Sequence, residues 1–230
     1  MIAAYVRGLA GFGMAILLVP ILALAIAPAQ AVFVSNVLGL LIGLTEVRVL
    51  VRESESSARI VAFMALLATP FGFLALALTP PDLARLVIAL VALGAFGTVF
   101  LPRRPADMPG ALHTRATGLA AGLLTGFAGM PGPPVVPYYL GRDIPRALAR
   151  TSMMLVFVTA SFAGVISGAV LGVASWQLAG FGVALFPAIL LGNWIGTKSF
   201  GKVNDSAWRV FTGLVLGAAA VAALLRLFSN

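Results

Sequence analysis

The sequence predicts an all-α, polytopic transmembrane helical bundle of about eight spans (seven to eight), built from two homologous halves with broken or re-entrant glycine- and proline-rich segments. Three observations carry that reading. Of 230 residues, 61% are hydrophobic and only 10% charged, where soluble domains carry roughly a quarter charged residues. A glycine-rich segment closed by proline occurs twice: Gly8-Leu9-Ala10-Gly11-Phe12-Gly13-Met14 with Pro20, and Gly126-Phe127-Ala128-Gly129-Met130-Pro131-Gly132-Pro133-Pro134 with Pro137. A polar joint from Pro102 to Gly110, holding three prolines, divides the apolar sequence near its middle.

The first span covers about 2–26 and contains Arg7 with three glycines and one proline, so it reads as a broken or re-entrant element. Its opening, Met1-Ile2-Ala3-Ala4-Tyr5-Val6-Arg7, lacks the basic start and cleavage site of a signal peptide and reads as a span missing some of its beginning. Apolar runs at about 31–50, 58–79 and 83–101 complete the first half, residues 1–101. Residues 102–113 form the polar linker. The second half, 114–230, repeats the plan with runs at about 114–140, 147–172, 175–197 and 207–228.

Gly8 and Gly11 recur 118 positions later as Gly126 and Gly129. Gln30-Ala31 and Ser35-Asn36 lie 116 positions before Arg146-Ala147 and Thr151-Ser152, and Gly72 lies 120 before Gly192. Asp82 with Arg85, and Asp205 with Arg209, open the fourth span of each half. The shared order of these matches predicts an internal duplication.

A formal charge of +8 would suggest nucleic acid in a soluble protein. Here most basic residues flank apolar runs, where they anchor helices at anionic lipid headgroups, and no nucleic-acid partner is expected. With eight spans, eight arginines fall on one side and seven basic residues on the other. Setting Arg150 aside as a buried functional residue tilts both termini toward the cytoplasm. Cysteine is absent and histidine occurs once, as His113, so thiolate chemistry is excluded and no metal or other cofactor is expected. No phosphate-binding loop and no acid, base and nucleophile cluster appears. An enzyme is therefore not expected, and transport would draw on ion or substrate gradients.

Paired interrupted segments in corresponding halves point to a transporter's binding site. Pro131, Pro133 and Pro134 lack amide donors, and Gly126, Gly129 and Gly132 permit backbone angles that other residues avoid. The resulting half-helix N-termini suit a small anionic substrate. Amides around Gly11 to Gly13 and Gly129 to Gly132 are candidate donors to its oxygens. Arg150 would supply charge, with Thr151, Ser152, Asn36 and Asn193 as neutral partners. Against this stand close helix packing by the glycines and an interfacial role for Arg150 beside Arg142 and Arg146. Glu46 and Arg48 read first as an interfacial cluster with Arg52, Glu53 and Glu55, with proton coupling through Glu46 the other reading. A cation or neutral-solute carrier and a non-transporting membrane scaffold are the competing functions. Lipid surrounds the protein in each case, and a homodimer is allowed.

Several stretches together resemble the TauE/SafE sulfite-exporter family of membrane permeases. They are Arg7-Gly8-Leu9-Ala10-Gly11-Phe12-Gly13 through Val19-Pro20, Gly126 through Tyr138, Arg150-Thr151, and Pro187-Ala188-Ile189-Leu190-Leu191-Gly192. The resemblance implies a bacterial inner-membrane carrier of seven to nine spans that exports sulfite or an organosulfonate. The first cluster departs from it: Gly11-Phe12-Gly13-Met14-Ala15 is not a run of consecutive glycines.

Overall fold

The computed structural model describes residues 1–100 and 109–199, which are helical throughout. The first half comprises α1 (Ile2–Ala10), α2 (Met14–Ala25), α3 (Pro28–Leu44), α4 (Val47–Glu53), α5 (Ser56–Leu78) and α6 (Pro81–Phe100). The second comprises α7 (Ala111–Ala128), α8 (Gly132–Leu140), α9 (Arg146–Val170) and α10 (Trp176–Lys198). The expected final span at about 207–228, most of the central joint, and Asp205 with Arg209 lie outside the described residues. Among the described residues, α5, α9 and α10 are each long and apolar enough to cross a membrane, and α3 with α4, bent by 74°, makes a fourth if the pair is one span.

The continuous runs expected at 2–26 and 114–140 are each split in two. Gly11 (φ +81°) ends α1, its N–H bonded to Arg7 O at 2.7 Å, and Gly13 (φ +98°) precedes α2. These left-handed angles are open to glycine at little cost. In the second copy, Gly129 (φ +68°) donates to Thr125 O and Met130 donates to Leu124 O, closing α7. Pro131 and Pro133 then fix φ for a new start, which proline tolerates because a first-turn N–H has no helical acceptor. A stop and a start stand back to back. The run expected at 31–50 instead bends at Thr45, whose hydroxyl donates to Ile42 O at 2.7 Å. Elsewhere the ends are ordinary: Ser175 Oγ accepts from Leu178 N–H at 3.2 Å to start α10.

Glycine also decides which helices meet. On α7, Gly118, Gly122 and Gly126 form a small-residue stripe, and a Cβ on them would strike the α5 backbone at Val61, Ala65 and Thr69 in turn. Numbers rise together on both helices, so α5 and α7 run parallel. α1 and α10 run parallel in the same manner: Gly192 faces Met1 O, and Gly196 faces Tyr5 O. The detail repeats. Gly8 faces the Asn193 carbonyl and the Thr197 amide, while Gly126 faces the Thr69 carbonyl and the Phe73 amide. Gly72 lies against Leu123 O as Gly196 lies against Tyr5 O. α3 and α9 cross antiparallel, with Phe33 on Gly168, Asn36 on Gly164, Gly39 on Ser161 and Gly43 on Val158. Lipid tails are as apolar as leucine, so such van der Waals fit carries helix association in a bilayer. Outward apolar side chains such as Phe63, Phe71 and Trp194 suit contact with lipid.

Gly126→Ala or Gly8→Ala should therefore destabilise the purified protein by about 1–3 kcal/mol, the usual cost of overpacking. Gly180→Ala, whose added Cβ meets nothing within 4 Å, should leave the melting temperature unchanged or raise it. Thermal unfolding in detergent checks both.

Candidate functional site

The two breaks open onto one cavity of about 50 Å³. Phe12, Gly13, Met14, Ala15 and Ile16 line it from the first break, and Gly129, Met130, Pro131 and Gly132 from the second. Ser35 and Gly39 of α3, and Phe157, Val158 and Ser161 of α9, close it where those helices cross. Arg7 of α1 completes the wall. Among the described residues, no carboxylate lines this cavity.

Among the described residues, Arg7 is the only charged one that lines it, and it is 6% exposed. Its Nη1 donates to Asn193 Oδ1 at 2.7 Å, and its Nη2 lies 3.6 Å from Glu46 Oε2. A buried arginine needs partners of this kind. Ser35 and Ser161 present hydroxyls that form no hydrogen bond among the described residues. The start of α2 adds backbone donors, because the Met14, Ala15 and Ile16 N–H groups have no acceptor within the helix.

The breaks do not contribute equally. The Gly11, Gly129 and Met130 amides are spent on closing α1 and α7. Pro131, Pro133 and Pro134 have none, which leaves the first turn of α8 poor in donors. The expected pair of amide clusters reduces largely to the α2 start.

The expected site residues divide into three groups. Gly13, Gly129 and Gly132 line the cavity. Gly11, Arg150 and Asn193 stand just behind it. A Cβ on Gly11 would meet Arg150 Cγ at 2.7 Å, and Arg150 Nη2 reaches Gly8 O at 3.3 Å and Thr197 Oγ1 at 3.4 Å. Asn193 orients Arg7. Asn36, Thr151 and Ser152 lie elsewhere. Asn36 is buried against Gly164, its Nδ2 without a hydrogen bond among the described residues. The Thr151 hydroxyl faces the Glu53, Ala147 and Leu148 carbonyls, and Ser152 Oγ accepts from Glu55 N–H at 2.9 Å. Sequence reading missed Arg7 and Ser161 as lining residues. Arg7 carried the signal that singled out Arg150, an arginine within apolar sequence, whereas Ser161 resembles any serine on a membrane helix.

A second polar cluster joins the turn before α5 to the turn before α9. Glu55 takes two hydrogen bonds from Arg142, both 2.6 Å, and one from Ser57 at 3.1 Å. These bonds hold the Arg142 guanidinium above its ordinary pKa. Arg142 also lies over the Tyr138 ring at 5.5 Å, and Tyr139 OH sits 3.2 Å from Ser57 Oγ. Glu46 and Glu55, expected in one interfacial cluster, thus belong to separate ion pairs. Among the described residues, no three histidine or acidic side chains come together as metal ligands would.

Breaking a buried, doubly bonded pair of this kind typically costs roughly 3–5 kcal/mol. Arg142→Gln should therefore lower the melting temperature sharply, and charge reversal of both partners should recover part of the loss. Thermal unfolding of the single and double variants checks this.

A family model described as sulfite exporter TauE/SafE matches residues 1–223, nearly the whole chain. No curated protein and no solved structure matches it. The glycine-broken helices and the full-length match agree, and the chain belongs to the sulfite exporter TauE/SafE family, a family of membrane transporters.

Proposed function

We propose that the chain is a secondary carrier of small anions that exports sulfite, an organosulfonate or a related sulfur oxyanion across the bacterial inner membrane. The observation that carries this reading is the composition of the shared cavity. Both helix breaks, one buried arginine and two unbonded serine hydroxyls surround it, and no carboxylate does. A tetrahedral or pyramidal oxyanion needs donors from several directions and a net positive field, and those are the groups supplied. Arg7 provides charge and forked donors, Ser35 and Ser161 provide hydroxyls, and the α2 start provides amides. Arg150 and Asn193 hold the surrounding helices and Arg7 in place.

We read the two halves as inverted repeats. The equivalent helices α3 and α9 cross antiparallel, and α1 meets α10 as α7 meets α5. In such carriers the substrate lies near mid-membrane at the repeat interface, and rocking of one half against the other exposes it to each face. The α3–α9 crossing at Gly39 and Ser161 lies in the cavity wall, where that movement would act.

Proteoliposomes containing the protein should take up labelled sulfite or a sulfonate, with anions competing and cations not. A lost hydrogen bond to a charged group is worth about 1.5–3 kcal/mol, so Arg7→Gln should weaken apparent affinity by roughly 10- to 150-fold. Gly129→Leu, which fills the second break, should abolish flux. Flux unaffected by both substitutions would refute this site.

A further inference from the structure

We propose that Glu46 is a proton-linked internal competitor for the transported anion, so that binding the anion draws in a proton. This rests on the anion site described above and adds a proton linkage to it. Among the described residues, two carboxylate–arginine contacts of opposite character involve a buried arginine. Glu55 is locked to Arg142 by two bonds of 2.6 Å, with Ser57 donating a third. Glu46 approaches Arg7 only to 3.6 Å, beyond hydrogen-bond length, and its buried Oε2 accepts no hydrogen bond among the described residues. The loosely held carboxylate is the one that touches the cavity's arginine.

Glu46 does not line the cavity, whereas Arg7 does. An anion entering from the cavity therefore meets a guanidinium whose charge is already partly met from behind. While Glu46 is ionised, the pair presents little net charge, and the anion adds a second negative group to one arginine. Once Glu46 is protonated, Arg7 presents its full charge, so anion and proton favour each other's binding. This linkage is reciprocal.

Most charged groups on the elements around Glu46 are cations. α1 contributes Arg7, and α9, packed against α4, contributes Arg146 and Arg150. α4 itself carries Arg48, Arg52 and Glu53. α5 begins after Glu55, which Arg142 already holds. α10, packed on α1 and α3, brings neutral Asn193 and terminal Lys198. His113 lies on α7, stacked on Tyr138.

The test uses methanesulfonate, a strong-acid anion that keeps its charge as pH changes, with purified full-length protein and titration calorimetry. Wild-type affinity should rise as pH falls from about 8 to about 4, by up to about tenfold per unit for one linked proton. Glu46→Gln should bind with the acid-form affinity at every pH. Binding enthalpy of the wild type at intermediate pH should also vary with the buffer's ionisation enthalpy, reporting proton uptake without any substitution. A Glu46→Gln protein that keeps the wild-type pH dependence, or a wild type that binds without taking up protons, overturns the coupling while leaving the anion site standing. No binding by either protein at any pH overturns both.

Discussion

Backbone that leaves the helix inside a bilayer must be sheltered from lipid, because hydrocarbon offers its N–H and C=O groups no partner. This chain has two such places, at residues 11–13 and 129–131, and much of the described packing serves to bring them together. α10 lies along α1 and α5 lies along α7, each backbone to backbone at glycine. The same approach that seals the outer side of each break leaves its inner side facing the α3–α9 crossing. Shelter and cavity follow from one constraint.

That constraint also explains where the charges are placed. Arg7 sits one turn before the first break, so it reaches the cavity without lying in lipid. Arg150 comes from α9 and crosses over Gly11, where a side chain would block it. The glycine thus does two things: it turns the chain and it admits the arginine. Glu55 and Arg142 lie apart from this region and join the two halves at their turns. The contrast between that rigid pair and the looser contact of Glu46 with Arg7 separates a structural fastening from a group placed to respond.

What the sequence revealed was mainly local. Glycine and proline punctuate helices by their own covalent geometry, so both breaks were legible, as were the long apolar runs that became α5, α9 and α10. The bend after α3 was not, because no proline or positive-φ glycine marks it and a threonine side-chain bond accompanies it. Partner choice between distant helices was also hidden. Thr151 and Ser152 drew attention as hydroxyls beside an arginine, but their oxygens serve the α4–α5 turn and the start of α9. Arg7 falls within the first expected span, but that it faces a cavity cannot be read before the break beside it is folded.

The central claim is that both breaks face one water-accessible space that holds an anion. The protein has no cysteine, so a single cysteine placed at Ser161 can report on that space directly. A membrane-impermeant thiol reagent should label Ser161→Cys in proteoliposomes, and sulfite or methanesulfonate should slow the reaction while a matched cation salt should not. Labelling that fails, or that proceeds at one rate whatever anion is present, would contradict the claim.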